Sequence, residues 1–84
     1  MRPVTIYGTR VCGYCMSAKA LLEAKHVDYT EFMVDIDPAR RKEMEIKSKR
    51  RSVPQIFIGE QHIGGYRELY ALETAGELDR LLAD

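Results

Sequence analysis

The chain has 84 residues, 13 of them basic and 13 acidic, for a formal net charge of zero. A chain this short is expected to fold as one domain, residues 1–84, since it buries only roughly 60–65% of its unfolded surface around a single modest core. Zero net charge argues against a nucleic acid or a membrane surface as a global partner, and no apolar stretch approaches membrane-spanning length.

The charge is unevenly placed, however. Residues 40–51 carry seven Lys or Arg against two Glu, and residues 66–84 carry five acids against two Arg. The basic run lacks the interleaved aromatics of a nucleic-acid surface and reads as a solvated helix face. No signal-peptide pattern precedes the first apolar run, so a cytoplasmic protein is expected, and structural disulfides are rare there.

Residues 4–7 are mostly β-branched or aromatic and are bounded by Pro3 and Gly8, which predicts a strand. Cys15, Ala18 and Leu22 then share one helical stripe with Leu21 beside it, while Lys19, Glu23 and Lys25 point elsewhere. That spacing predicts an amphipathic helix over 13–25. Residues 27–34 alternate imperfectly and read as a second strand. Asp37-Pro38 is a helix start, with Asp as N-cap and Pro at the first helical position. The apolar residues that follow are mainly Ala39, Met44 and Ile46, so this helix is expected on the surface.

Residues 55–58 and 61–63 read as a hairpin around Gly59-Glu60, a pair suited to a type II′ turn. Gly64-Gly65 opens a helix through Leu69 and Leu72. Thr74-Ala75-Gly76-Glu77 then reads as a capping box for a last short helix to Leu82. The order β-α-β-α-β-β-α-α demands a parallel pair with a right-handed crossover and a closing antiparallel hairpin. The expected class is α/β: one mixed four-stranded sheet with helices on both faces.

The only two cysteines, Cys12 and Cys15, stand in the stretch CGYC. As a staple the pair is poorly placed, because so short a loop gains only about 2 kcal/mol. A zinc site would require His26 and His62, at a spacing that fits no finger or ribbon. His26 reads more simply as a residue near a helix C-terminus, and His62 as the polar face of a short strand. Redox chemistry is the favoured reading. Cys12 lies where a strand gives way to a helix, and there unpaired N–H groups and the positive helix end stabilise an anion. A thiolate is the nucleophile of disulfide exchange, and such sites lower a cysteine pKa from ~8.5 to ~3.5–7.5. Arg10 adds a nearby cation. Cys15 is one turn further on, on the apolar stripe, and is expected to be a buried, protonated resolving thiol.

The motifs YGTRVCGYC, SVPQIFI and HIGG, in this order, resemble the glutaredoxins, specifically the small bacterial dithiol kind, over residues 4–82. The resemblance implies a thioredoxin fold and a thiol–disulfide oxidoreductase that uses glutathione to reduce protein disulfides and glutathione mixed disulfides. Thioredoxins proper differ, with a Trp before the first cysteine and Gly-Pro between the two; this chain has no Trp. By position, Cys12 and Cys15 match the catalytic pair and Tyr14 the aromatic between them. Val53 and Pro54 match a Val whose backbone pairs with the glutathione cysteinyl unit and a cis-proline beside it. Gly64 and Gly65 match a turn that lets the peptide approach a helix N-terminus suited to the γ-glutamyl carboxylate. Tyr66 and Arg67 follow as further glutathione-binding positions.

The chain departs from the family pattern at several places. Gly13 replaces the usual Pro, and Thr9 a usual Lys, leaving Arg10 as the nearby cation. Arg67 stands where an acid is usual, with Glu68 next to it, and Lys49 where a helix-ending Gly is common. Relatives that resemble this one in CGYC imply a second possibility: a [2Fe–2S] cluster shared by two chains, with Cys12 and glutathione as ligands and the chain otherwise monomeric. A third is a dedicated electron donor to an enzyme such as ribonucleotide reductase, recharged by a thioredoxin reductase. Redoxins of that type differ from this sequence between the cysteines and near the last helix.

Overall fold

In the two central strands nearly every side chain is apolar and buried, and that places them between two layers. β1 (Val4–Gly8) and β3 (Gln55–Ile58) lie side by side and antiparallel, with Ile6 opposite Ile56. Val4, Ile6, Ile56 and Ile58 face one core, while Tyr7 and Phe57 face another on the opposite side. Alternating side chains of a strand point to opposite faces, so a strand apolar on both must be covered on both. The computed structural model describes residues 1–83.

The described residues form one four-stranded sheet in the order β2-β1-β3-β4. β2 (Thr30–Met33) runs parallel to β1, and β4 (Gln61–Gly64) antiparallel to β3. The first face is covered by α1 (Gly13–Ala24), α3 (Tyr66–Thr74) and α4 (Leu78–Leu82), through Ala18, Leu22, Leu69, Leu78 and Leu82. The second face is covered by α2 (Pro38–Ser48), which contributes Met44. The expected mixed sheet between two helical layers is the observed architecture.

Several local expectations need correction. β2 is shorter than residues 27–34. Val27 is still buried, but its N–H bonds to the Leu22 carbonyl, closing the end of α1 instead of joining the sheet. In α2, Met44 is fully buried and Ile46 is exposed. Cationic side chains complete its inner face: the Arg40 guanidinium lies 3.8 Å from the Phe32 ring centroid, and the Lys47 ammonium 5.0 Å from that of Phe57. Long basic side chains cover apolar surface with their stems while their heads reach water.

The last helix is not opened by a capping box at Thr74, which lies inside α3 and bonds back to the Ala71 carbonyl. Gly76, at φ 74°, ends that helix instead, with the Gly76 and Glu77 N–H groups on the Glu73 and Leu72 carbonyls. That bond pattern is a Schellman motif. α1 ends in the same way, with His26 at φ 58° in the glycine position.

Lys49, at φ 60°, caps α2 in the left-handed conformation that glycine adopts without strain. The buried Ser48 hydroxyl fixes this corner, bonding to the Met44 and Arg50 backbone, so the chain turns there despite the lysine. A left-handed non-glycine residue costs about 1–2 kcal/mol. Part of the gain from a glycine is offset by the greater freedom it gives the unfolded chain. Lys49→Gly is therefore expected to stabilise by about 0.5–1 kcal/mol and to raise the thermal midpoint by a few degrees. A lowered midpoint in a melting experiment would show that the lysine side chain contributes more than its backbone costs.

Candidate functional site

β1, a central strand, ends at Gly8, and a short loop passes the chain into α1 within four residues. Thr9 tightens that loop by donating its hydroxyl to the Val11 carbonyl at 3.3 Å. Cys12 is the N-cap of α1 in extended conformation, and its sulfur accepts the Cys15 N–H at 3.1 Å. A cysteine sulfur thus occupies the place of a capping oxygen, against N–H groups with no partner inside the helix. Cys12 and Cys15 are joined as a disulfide, with Cα atoms 5.2 Å apart. Cys15 is 1% exposed on the stripe with Ala18 and Leu22, whereas Cys12 is partly open to solvent. The two sulfurs are therefore unequal, one at the surface and one in the core. Only the outer one is open to a large partner.

Beside the disulfide runs a groove lined by Tyr14, Arg50, Val53, Gly65, Tyr66 and Arg67, among others. Its floor is the approach to β3, where the Val53–Pro54 peptide bond is cis and Val53 pairs with no strand. One wall is the stacked pair Tyr14 and Tyr66, with ring centroids 6.2 Å apart, and Tyr70 lies tilted behind Tyr66 at 5.8 Å. The far end is the N-terminus of α3. Gly64 stands there at φ 121°, a backbone conformation that favours glycine, and a Cβ on it would have to displace the Glu68 carboxylate 2.6 Å away. The Gly65 N–H donates to Glu68 Oε1 at 2.5 Å, which is the return half of a capping box, since glycine has no side chain to give the other half.

The expected site residues do not all converge. Tyr14, Val53, Pro54, Gly65, Tyr66 and Arg67 line the groove, and Gly64 shapes its end. Arg10 does not line it. Its guanidinium is held by Asp35 at 2.8 Å, which draws the Asp35 carboxyl below its ordinary pKa, and the same carboxylate also accepts the Arg10 N–H. The acid at position 35, across the loop from β1, takes the cation expected beside Cys12. Arg50 supplies a cation that the sequence reading did not single out, 3.7 Å from Glu68. It was hidden within the basic run, and only the turn at Lys49 carries it from the solvated helix to the groove.

Gln55 and His62 were missed or misjudged for a related reason. Gln55 is buried, donates its amide to the Ser52 carbonyl and bonds through Oε1 to His62 Nε2 at 2.7 Å. His62 is half-buried against Phe57 and not on a polar face, and burial pushes its pKa down. This buried chain of amide and imidazole braces the loop that carries Val53 and Pro54.

A cysteine at a helix start, a second one buried a turn later, and a cis-proline loop sharing a groove with the tyrosine between them define a thiol–disulfide oxidoreductase on a thioredoxin-like fold. The glutaredoxin family model matches residues 4–63, and the chain belongs to the glutaredoxin family. It is 51% identical over 83 residues to the glutaredoxin of Pseudomonas aeruginosa, covering 99% of both chains. Its fold matches the solution structure of a Brucella melitensis glutaredoxin with a TM-score of 0.85 at 48% identity, covering 98% of this chain and 89% of that one. It also matches the crystal structure of a buckwheat glutaredoxin–glutathione complex with a TM-score of 0.87 at 27% identity, covering 96% and 76%. Among the described residues, no helix is long and apolar enough to cross a membrane.

Proposed function

We propose that this chain reduces protein disulfides and glutathione mixed disulfides with glutathione as electron donor. The observation that carries the reading is the groove's chemistry beside the outer sulfur. Glutathione offers a thiol, an extended peptide backbone, two carboxylates and one ammonium. The groove offers a backbone segment at Val53 outside the strand ladders and the cations Arg50 and Arg67 near the start of α3, and its Tyr14 wall belongs to the same first turn of α1 that Cys12 caps. A charge-assisted hydrogen bond to a sheltered carboxylate contributes about 1.5–3 kcal/mol. The structural likeness to a buckwheat glutaredoxin held with glutathione supports the same ligand. In place of the acid usual at position 67, Arg67 attracts a carboxylate, and Glu68 is the acid left for the ammonium, although its Oε1 is engaged by Gly65.

In the proposed cycle the Cys12 thiolate attacks a substrate disulfide and becomes the mixed disulfide. Cys15 then loses its proton and attacks Cys12, releasing the second thiol and closing the disulfide. Two glutathione molecules reduce that disulfide and leave as oxidised glutathione. With a glutathionylated substrate, a second glutathione can replace Cys15. The test follows NADPH oxidation with glutathione, glutathione reductase and a glutathionylated peptide. Cys12→Ser is expected to abolish turnover and Cys15→Ser to retain it. Equal loss in both variants, or activity driven only by thioredoxin reductase, would contradict the reading.

A second reading is favoured by Gly13, where an added Cβ would meet nothing within 4 Å. Among the described residues there is no group of three or more His, Cys, Asp or Glu able to hold a metal, so a [2Fe–2S] cluster would draw on Cys12 plus thiolates from outside the chain. Glutathione and a second copy can supply them around the open Gly13. Anaerobic reconstitution with iron, sulfide and glutathione is expected to give a coloured dimer that Gly13→Pro diminishes sharply. A colourless monomer by visible absorbance and gel filtration would dismiss the cluster.

A further inference from the structure

Cys15 must lose a proton before it can attack Cys12, yet it is 1% exposed and sits on the apolar stripe of α1. Burial in such surroundings disfavours a thiolate. Water has little access to it, so the fold itself needs a base beneath the helix.

Among the described residues, one buried carboxylate oxygen near this site has an ion pair as its one contact. Glu31 Oε2 is buried and has no aligned hydrogen-bond donor among the described residues. The Lys19 ammonium is 2.8 Å away, with both side chains about one-fifth to one-quarter exposed. Glu31 pairs with Ile6 in the parallel ladder, on the face that α1 covers, and Lys19 follows Cys15 by one helical turn. With no aligned donor on it, Glu31 Oε2 keeps lone pairs that can accept a proton.

Gly8 joins the two groups. It lies two residues after Ile6 on the same strand, so its missing side chain would point toward α1. A Cβ built there would stand 3.0 Å from Cys15 Sγ and 4.0 Å from Glu31 Oε2. The sulfur and the carboxylate oxygen thus both border the spot that a side chain at position 8 would fill. Gly8 is not among the residues at positive φ, so its backbone does not require glycine. A glycine inside a strand often marks a place where other groups come close.

We propose that Glu31 accepts the proton of Cys15 in the resolving step, with Lys19 fixing the position of the carboxylate. The inference rests on the reading of Cys12 as attacking thiol and Cys15 as resolving thiol. As the Cys15 S–H bond breaks, its proton passes to Glu31 Oε2. The sulfur's electron pair then forms the bond to Cys12 Sγ, and the substrate thiolate leaves with the pair of the broken disulfide. Glu31 afterwards returns the proton to solvent along the partly exposed Lys19.

The other groups near the pair do not compete for this role. β1 offers Ile6 and Gly8, which do not titrate, and α3 contributes Leu69 to the core under α1. Tyr29, ahead of β2, donates its hydroxyl to Glu23 at 2.5 Å, and that bond, with burial, pushes its pKa up to about 12. Cys12 is the sulfur under attack and takes no proton from Cys15.

The test is a single turnover of reduced protein with dithiobis(nitrobenzoate) in stopped flow. The first thionitrobenzoate is released as Cys12 attacks and the second as Cys15 closes the disulfide, so one trace times both steps. Cys15→Ser should release only the first. Absence of a first release that depends on Cys12 would sink the underlying reading, separately from this inference. General-base assistance contributes ~100–10,000-fold, and glutamine at position 31 is expected to slow the second release, relative to the first, at least about tenfold near neutral pH. The deficit should shrink as pH approaches the ordinary thiol range near ~8.5. Lys19→Met, which keeps the carboxylate but removes the ion pair that fixes it, should also slow the second release relative to the first. Two results would overturn the proposal: both phases slowed equally in Glu31→Gln, or a second phase within about twofold of the native chain at every pH. Should Glu31→Gln fail to fold, an unchanged second-phase profile in Lys19→Met would overturn it.

Discussion

The bond from the Cys15 N–H to Cys12 Sγ is the constraint on which the site depends. It makes a sulfur the cap of α1, so the helix start and the reactive atom are the same feature. A helix can begin there only because β1 ends at Gly8 and the loop is too short to carry the chain away from that end of the sheet. The same geometry separates the two sulfurs. One turn of helix takes Cys15 from the cap to the buried stripe, where Ala18 and Leu22 continue into the core. Difference in environment is what gives two identical side chains different proposed roles.

The remaining walls of the groove come from distant parts of the chain, and separate devices hold each in place. Ser48 fixes the corner that brings Arg50 round, and Gln55 with His62 braces the Val53–Pro54 loop from beneath. Glu68 caps α3 through Gly65 and lies near Arg50, tying the two ends of the groove together. Far from the site, Lys25 holds α1 to α3 and α4 through Glu73 and Asp79, both at 2.8 Å, and those partners raise its pKa. Exposed ion pairs contribute little singly, about 0–1 kcal/mol. This one is better sheltered on the lysine side and ties three helices, which orients the layer that α1 belongs to.

Much of this was legible in the sequence because it is local. The stripe of Cys15, Ala18 and Leu22, the Asp37-Pro38 start and the Gly59-Glu60 turn each depend on residues within one or two turns of one another. The strand order followed from the connections. What could not be read was non-local. Arg10 is neutralised by Asp35, 25 residues away, and no spacing rule links them. Arg50 reaches the groove through a left-handed lysine, a conformation for which the residue type gives no signal. The capping box was assigned to Thr74 because Thr and Glu are its usual ends. Half of such a box, the bond from the Gly65 N–H to Glu68, opens α3 instead, at a glycine that lacks the side chain the pattern requires. Met44 and His62 were underrated because their burial depends on the ring of Phe57 and its neighbours across the sheet.

The central claim is that the α1 N-terminus holds Cys12 as a thiolate, and titrating that thiol in the reduced chain tests it most directly. Thiolate absorbance, or the rate of alkylation by iodoacetamide, followed against pH in the Cys15→Ser variant isolates the one group. The helix end and the N–H aimed at the sulfur predict a pKa in the ~3.5–7.5 range of activated cysteines. A titration centred near the ~8.5 of a free cysteine would show that the cap does not activate the sulfur, and would contradict the account.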